Sequence, residues 1–423
     1  MGPDATPDWL EDAVFYQIYP QSYYDSNGDG IGDIPGIIQK LDYLSELGVN
    51  AVWLNPCFVS PFQDAGYDVA DYCKVAPRYG TNADLVRLFE QARRRDIRIC
   101  LDLVPGHTSV EHDWFQASCR HRRNRYSDRY IWTRSVWDPG APPLRFVNGY
   151  SERDGAYAIN FFYCQPALNY GFAHPDPRYS WQQSVDAPGP RAARADLKKI
   201  MDFWLRKGAA GFRVDMASSL VKNDPKHEKT IELWQEIRSW LDRRHPEAVL
   251  ISEWGHPSEA IAAGFHVDFM IHIGVPGFPS LFFKGKHRHC FFDSRGGGTI
   301  SEFLDEYTRQ RRKMRGGYIS IPSANHDMPR PGYDRSKADL EVIFAFLLTW
   351  PGVPFLYYGD EIGMRFLPDL PSKEGGYGRT GTRTPMQWDG SRNAGFSTTA
   401  PSKLYLPIDP QARRPTVRAQ ERE

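Results

Sequence analysis

Eight short apolar segments alternate with helix-like segments along almost the whole chain, and this alternation constrains the fold more than any other feature. Several of the apolar segments are continuous runs without polar alternation, as in parallel strands that are covered on both faces. They lie at residues 14–20, 49–56, 97–105, 211–216, 249–254, 266–273, 318–327 and 353–359. Eight strands alternating with helices predict an α/β fold of the (β/α)8 TIM-barrel class.

The segments between these strands carry the spacing of amphipathic helices. Apolar residues recur on one stripe from Ile34 to Leu47, and Gly48 follows where a helix can end. Thr81 or Asn82 can cap the next helix. Further helices are predicted at residues 196–207, 227–244, 301–315 and 337–349. The longest apolar run, at 342–358, is interrupted by prolines, so it predicts a buried helix followed by a buried strand rather than a membrane span.

Residues 110–172 interrupt the alternation between the third strand and the next helix. This segment is too long for a plain loop and predicts an inserted subdomain, called subdomain B, which leaves residues 1–109 and 173–423 for the barrel. Its basic run at 120–126 favours a solvated surface over an anion site. After the eighth strand the sequence is rich in Gly, Arg and Thr, and no eighth helix is recognisable in it.

The charge composition narrows the possible partners. The 423-residue chain has 52 Lys plus Arg and 52 Asp plus Glu, which argues against a nucleic acid or an anionic membrane as partner. Aromatic residues make up 14% of the chain, which fits a large core and also a site lined with flat faces for sugars. The N-terminal residues lack a basic region followed by an apolar stretch, so the sequence predicts no secretory signal and a cytoplasmic location.

Ionisable side chains gather at the predicted carboxyl ends of the strands, the face where barrel enzymes carry their active sites. They are Asp102 and His107 after the third strand, Arg213 and Asp215 at the fourth, Glu253 at the fifth, and His326 and Asp327 at the seventh. Carboxylates held close together repel one another, so their convergence predicts a functional site. Cleavage of a glycosidic bond uses one carboxylate as nucleophile and another as proton donor. Because side chains alternate along a strand, Arg213 is expected to share a face with Asp215 and to hold it ionised.

Short motifs at the same places resemble those of a known family. They read GVNAVWLNP at 48–56, DLVPGHTS at 102–109, QPALNY at 165–170, GFRVDMA at 211–217, ISEW at 251–254, SANHD at 323–327 and GVPFLYYGDE at 352–361. With these motifs between Val14 and Asp409, the sequence resembles the α-amylase superfamily of retaining α-glycoside hydrolases, in its α-glucosidase and oligo-1,6-glucosidase branch. Relatives of that branch continue into an eighth helix and a C-terminal β domain, which are missing from the recognisable pattern here.

The resemblance implies a catalytic role for three carboxylates. Asp215 matches the nucleophile, Glu253 the general acid and base, and Asp327 the carboxylate that stabilises the transition state. The residues implied in substrate binding are Tyr67, which stacks on the sugar, His107 and His326, which hold its hydroxyls, Arg213, which orients the nucleophile, and Asp102, which supports the site.

Three further residues point to an exo-acting enzyme by the same resemblance. Asp64, Arg379 and Arg383 match residues that close the pocket of α-glucosidases by gripping the terminal hydroxyls of the substrate. Gly106 stands where secreted α-amylases carry a calcium-binding asparagine, and the residues after Met216 lack the Lys-His pair of many endo-amylases. Both departures weigh against an endo-acting enzyme on starch.

The segment DSNGDGIGD at 25–33 resembles a loop that holds structural calcium or magnesium in oligoglucosidases. The implied ligands are the side chains of Asp25, Asn27, Asp29 and Asp33 and the carbonyl of Ile31. Oxygen side chains at alternate positions suit a hard cation. The loop is not an EF-hand, because Gly36 takes the place of the bidentate glutamate. A metal-free Asn/Asp turn is the alternative, and no organic cofactor is expected.

The leading hypothesis is therefore an exo-acting retaining α-glucosidase on small α-glucosides. The alternatives are a glucosyl-shifting enzyme of the trehalose or sucrose isomerase type, an α-amylase, and a non-catalytic relative. The last is disfavoured because all three carboxylates are present. The sequence leaves the linkage preference and the oligomeric state open.

Overall fold

Eight parallel strands form a barrel in the computed structural model, which describes residues 6–283 and 289–421. The strands are β1 (Phe15–Ile18), β2 (Ala51–Leu54), β3 (Arg98–Leu103), β4 (Gly211–Val214), β5 (Val249–Ser252), β6 (Val267–Phe269), β7 (Tyr318–Ser320) and β8 (Phe355–Tyr357). Their order in the sheet runs from β7 down to β1 and then to β8. The two edge strands, β7 and β8, approach each other just after β7, where the Ser323 N–H donates to the Phe355 carbonyl at 2.9 Å. The predicted TIM barrel is confirmed.

Helices cover the outside of the barrel. Those of the described chain span Ile34–Gln39, Leu41–Glu46, Asn82–Arg93, Asp113–Ser118, Pro188–Leu205, Glu228–Arg244, Pro257–Ala262, Phe278–Phe282, Ser301–Lys313, Lys337–Thr349 and Val417–Gln420. The stripe predicted as one helix is divided at Lys40, whose backbone leaves helical geometry. Thr81 caps the next helix, Asn82–Arg93, by a reciprocal pair of hydrogen bonds with Asp84. Thr81 is one of the two residues that the sequence predicted as the cap of this helix.

The barrel strands are buried on both faces, which is why their sequences are mainly apolar; β1 and β4 carry the buried polar residues Gln17 and Arg213. Phe15 of β1 stacks on Phe355 of β8 at 4.3 Å between ring centroids, and Trp53 of β2 lies 5.9 Å from Phe269 of β6. These contacts fill the barrel interior, so the strand ends that carry polar side chains are held on a rigid frame.

The segment predicted as subdomain B begins above β3. It contains an antiparallel pair of strands, Arg145–Asn148 with Ala156–Ile159. Its later part returns to the barrel mouth, where the Leu168 N–H donates to the Gly106 carbonyl at 3.0 Å. This contact places residues of the insert beside the polar ends of β3 and β4.

The helix Lys337–Thr349 differs from its prediction as a buried element. Val342 and Leu348 are 58% and 53% exposed, while Ile343 and Leu347 face the core. The apolar run at 342–358 predicted a helix correctly, but its composition does not indicate which face of the helix packs on the barrel. In the ranges that the structure describes, no helix is both long and apolar enough to cross a membrane.

Candidate active site

A cavity of about 320 Å3 opens at the carboxyl ends of the barrel strands. Its lining residues are Asp64, Tyr67, His107, Phe161, Asp215, Met216, Glu253, His272, Ile273, Asp327, Arg379 and Arg383. Eight of the eleven residues that the sequence assigns to catalysis or substrate binding are on this lining. The other three, Asp102, Arg213 and His326, lie buried beneath it.

Arg213 joins the carboxylates of three strands. Its Nη1 lies 3.0 Å from Asp102 Oδ1 and 3.1 Å from Asp215 Oδ1, and its Nη2 lies 2.7 Å from Glu253 Oε1. The guanidinium also lies 4.7 Å from the ring centroid of Trp53. The arginine expected to orient Asp215 thus bridges Asp215 and Glu253, and it holds both on one side of the cavity.

The turn after Asp215 is strained and belongs to the same arrangement. Met216 has φ +43°, a left-handed conformation that a non-glycine residue rarely adopts. In this conformation its backbone N–H donates to Glu253 Oε2 at 3.0 Å. Strained backbone of this kind is concentrated at functional sites.

The carboxyls of the cavity differ in their electrostatic surroundings. Burial, and next the Glu253 carboxylate, raise the pKa of Asp215 well above its usual range, although Arg213 opposes the shift. Burial also raises the pKa of Asp327, but the neighbouring cationic groups outweigh it and hold that pKa below its ordinary value. Burial thus favours the protonated form of Asp215, against the expectation that Arg213 alone holds it ionised, whereas Asp327 stays ionised.

Two arginines converge on Asp327 from the segment after β8. Arg379 Nη1 and Arg383 Nη2 lie 2.7 and 2.9 Å from the same Asp327 oxygen. Asp64 lines the same part of the cavity and accepts a hydrogen bond from Gln165 Nε2 at 2.7 Å. Burial raises the pKa of Asp64 to about 6. The three residues predicted to close the pocket are therefore brought together, and Gln165 is a support that the sequence did not identify.

Tyr67 and His326 form a stacked pair at the cavity wall. Their ring centroids are 5.3 Å apart, and the Tyr67 hydroxyl lies 2.8 Å from His326 Nε2 and donates to Asp102 Oδ2 at 3.0 Å. Gln17 Nε2 lies 3.0 Å from His326 Nδ1, which must accept because an amide nitrogen only donates. Burial lowers the pKa of His326 to about 3, so the ring is neutral. Both ring nitrogens are engaged within the protein, so direct contact of His326 with a sugar stays a prediction.

His107 lines the cavity and is held by subdomain B. Asn160 Nδ2 lies 3.2 Å from His107 Nδ1, and Asn160 Oδ1 accepts a hydrogen bond from Lys222 Nζ at 3.1 Å. A Cβ on Gly106 would lie 2.6 Å from Asn160 Nδ2, so the glycine makes room for this amide. The departure noted at Gly106 in the sequence therefore has a steric reason in this chain.

The predicted cation loop is tied together by its own hydrogen bonds. The buried Asp25 carboxylate accepts hydrogen bonds from the N–H groups of Gly28 and Gly30, each at 2.7 Å, and from the Ser397 hydroxyl at 2.5 Å. Asp33 caps the helix Ile34–Gln39. In residues 6–283 and 289–421, no group of three or more His, Cys, Asp or Glu side chains is arranged to hold a metal ion. The oxygen donors suit a hard cation, and the site stays a prediction.

Sequence reasoning missed the residues that line the cavity from other loops. Phe161 comes from subdomain B, and His272 and Ile273 come from the loop after β6. Both loops lie outside the motifs, and only the rule that strand ends carry the site pointed to the loop after β6.

Comparison with known proteins gives consistent matches over this chain. The model of the α-amylase catalytic domain matches residues 17–423. A trehalose synthase/amylase from Mycolicibacterium smegmatis is 34% identical, over 96% of this chain and 71% of that protein. An oligo-1,6-glucosidase from Parageobacillus thermoglucosidasius is 32% identical, over 97% and 80%. The crystal structure of a trehalose-6-phosphate hydrolase from Bacillus licheniformis has a TM-score of 0.76 and 25% identity, covering 99% of this chain and 81% of that one.

Proposed function

Because the chain belongs to the α-amylase catalytic-domain family and is a glycoside hydrolase, we propose that it is a retaining, exo-acting α-glucosidase of small oligosaccharides. The observation that carries the proposal is the joint lining of one cavity. Asp64, Arg379 and Arg383 share it with Asp215 and Glu253. In this proposal Asp64 and the two arginines close the end of the cavity, so that it accepts only the terminal sugar of a chain.

Cleavage proceeds in two displacements in this proposal. The Asp215 carboxylate forms a bond to the anomeric carbon while Glu253 gives its proton to the leaving oxygen, so the glycosidic bond breaks and a glucosyl ester remains on Asp215. Glu253 then takes a proton from water, whose oxygen attacks the anomeric carbon and releases Asp215. Two inversions return the α configuration.

Arg213 and Asp327 support these steps electrostatically. Arg213 contacts both Asp215 and Glu253, so it disperses the negative charge that moves between them. Asp327 stays ionised and supplies negative charge beside the anomeric centre, where positive charge develops in the transition state.

A substitution of Arg379 tests whether the pocket is closed at the end that holds Asp64 and Arg383. Replacing Arg379 by alanine is expected to lower kcat/KM on maltose by about 10- to 100-fold, because hydrogen bonds of charged groups contribute about 1.5–3 kcal/mol each. The exposed Arg392, which is not on the cavity lining, gives the matched control Arg392→Ala. Initial rates on maltose and maltoheptaose measure the effect. An Arg379→Ala enzyme as active as the control would argue for an open cleft.

A glucosyl-shifting enzyme is the second candidate, and the similarity to a trehalose synthase/amylase supports it. The same two carboxylates serve both reactions, since only the acceptor of the second displacement differs. Product analysis on maltose separates the candidates: free glucose supports hydrolysis, whereas trehalose or another disaccharide supports transfer.

We also propose that the loop at residues 25–33 takes calcium or magnesium through side-chain oxygens of Asp25, Asn27, Asp29 and Asp33 and the carbonyl of Ile31. Calcium at 100 times its Kd would add about 2.7 kcal/mol to the free energy of unfolding. Calorimetry should show a higher Tm with calcium, reversed by chelator, and Asp29→Ala should remove the shift. Asp305→Ala, at an exposed position outside the loop, is the control. A wild-type Tm that is unchanged by calcium, magnesium and chelator would refute the site.

A further inference from the structure

Arg330 is a buried arginine that follows Asp327 by three residues and is not on the cavity lining. Its Nη1 lies 2.8 Å from Asp360 Oδ1, and both side chains are fully buried. Arg330 belongs to the segment after β7, and Asp360 follows β8. The ion pair therefore joins the ends of the two strands at which the barrel closes.

The Asp360 carboxylate is held from both of these strand ends. Its Oδ2 accepts a hydrogen bond from the Ser323 hydroxyl at 2.7 Å, and the Ser323 hydroxyl oxygen accepts one from the Tyr357 N–H at 2.9 Å. Burial raises the pKa of Asp360 to about 6, and Arg330 and then the Ser323 hydroxyl oppose this shift. Arg330 thus contacts a carboxylate whose position is fixed by the barrel.

The same guanidinium binds the segment after β8. Arg330 Nη2 donates to the Thr382 carbonyl at 2.9 Å, and Nη1 also donates to the Tyr358 carbonyl at 2.5 Å. The Tyr357 hydroxyl donates to the same Thr382 carbonyl at 3.1 Å. This carbonyl belongs to the peptide bond between Thr382 and Arg383. These contacts therefore fix the backbone from which the Arg383 side chain extends.

Arg383 connects this backbone position to the cavity. Its Nε donates to the His326 carbonyl at 2.9 Å, and its Nη2 lies 2.9 Å from Asp327 Oδ1. Arg383 and Asp327 line the cavity, whereas Arg330 does not. Any effect of Arg330 on a bound sugar must therefore pass through the segment that carries Arg383.

The shape of the guanidinium suits this arrangement. Two terminal nitrogens in one plane bind the Asp360 carboxylate on one side and the Thr382 carbonyl on the other. The single amine of a lysine can keep the charge pair with Asp360, but it has one nitrogen in place of these two. Arg330→Lys therefore separates the charge of residue 330 from its contact with the Thr382 carbonyl.

We infer that Arg330 is a positioning residue of the active site, which places Arg383 through the Thr382 carbonyl and so sets how the cavity binds the terminal sugar. The inference rests on the proposed function, in which Arg383 contacts that sugar. A displacement of about 1 Å in a group that binds substrate can cost about 100-fold in rate.

The Arg330→Lys enzyme tests the inference by its effect on KM. We expect KM for maltose to rise about tenfold and kcat to stay within about threefold, because Arg383 contacts the sugar both in the ground state and in the transition state. Arg129→Lys is the matched control. Arg129 is buried and paired with Asp196 at 2.7 Å, away from the cavity lining, so this control should keep the wild-type KM.

A second background separates positioning from a merely structural role. In the Arg383→Ala enzyme, Arg330→Lys should change KM by less than about twofold, because the side chain that it positions is absent. A structural role predicts the same tenfold rise in both backgrounds. Equal rises, or a folded Arg330→Lys enzyme with wild-type KM, would overturn the inference.

Tyr357→Phe covers the case in which Arg330→Lys does not fold. It removes only the hydroxyl that donates to the Thr382 carbonyl. KM for maltose should rise about threefold, as for the loss of one ordinary hydrogen bond, and the rise should disappear in the Arg383→Ala background. A wild-type KM in Tyr357→Phe would contradict the inference.

Binding distinguishes a failure of this inference from a failure of the proposed function. If the wild-type enzyme cleaves no α-glucoside, the proposed function is wrong, and calorimetry with maltose on the Asp215→Asn protein still tests Arg330. Adding Arg330→Lys to that protein should raise Kd about tenfold. Equal Kd values, or no binding of maltose by either protein, would refute the positioning role.

Discussion

Replacing Asp215 by asparagine is expected to lower kcat on maltose by at least about 10^4-fold, a loss typical of removing a catalytic nucleophile. An amide cannot form the glucosyl ester through which the proposed reaction passes. The fold should not suffer, because Asp215 shares a buried site with Glu253 and Asp102, and the substitution removes one of three mutually repelling carboxylates.

Steady-state kinetics measure the loss of kcat, and thermal unfolding measures whether the fold is unchanged. Asp369→Asn is a matched control, because Asp369 is exposed and lies outside the cavity lining. The control should retain wild-type kcat. An Asp215→Asn enzyme with more than about a tenth of wild-type kcat would rule out Asp215 as the nucleophile, because the asparagine amide does not form the glucosyl ester.

Replacing Arg213 by methionine is expected to lower the free energy of unfolding by about 3–5 kcal/mol, as when one partner of a buried ion pair is removed. Arg213 is buried, and it contacts three carboxylates that would remain without their cation. Since a domain is stable by about 5–15 kcal/mol, this is a large fraction of the total. Denaturant unfolding of the purified variant measures it.

The deficit of Arg213→Met should depend on pH in a defined direction. Burial raises the pKa of Asp102 and of Asp215, and Arg213 opposes both shifts. Without the guanidinium these two pKa values rise further, so the folded variant binds more protons than the unfolded chain. Its stability relative to wild type therefore rises as pH falls from 8 towards the unfolded carboxyl range near about 4. The control Arg178→Met breaks a pair whose arginine is 78% exposed, and it should leave the free energy of unfolding nearly unchanged. A deficit for Arg213→Met no larger than this control would contradict the role of Arg213.

The fold could be predicted from the sequence because its strands are buried on both faces. Short, mainly apolar runs marked all eight strands, and β8 is continuously apolar. The boundaries of the helices were predicted less well than the strands. The break at Lys40 leaves the apolar stripe intact, so periodicity alone reads one helix where the structure has two. The exposure of Val342 could not be read either, because composition does not report which helix face is covered.

The site was predictable where strand ends and motifs coincide. Asp215 and Glu253 follow their strands directly, so the topology brings them together at one end of the barrel. The strand predicted at 266–273 ends at Phe269 in the structure, so His272 and Ile273 lie in the loop after it. Phe161 could not be placed, because the path of its loop depends on tertiary contacts. The contact of Arg213 with Glu253 was also missed, since it joins neighbouring strands rather than residues close in sequence.

The anomeric configuration of the first glucose released tests the central claim most directly. Maltotriitol offers an informative substrate, because an exo-acting enzyme converts it to glucose and maltitol, and only glucose has a free reducing end whose α and β anomers give separate signals. Proton NMR during the first minutes should show α-glucose forming first and β-glucose appearing later by mutarotation. Initial release of β-glucose would contradict the double displacement through Asp215 and Glu253, and cleavage without any free glucose would contradict the exo-acting pocket.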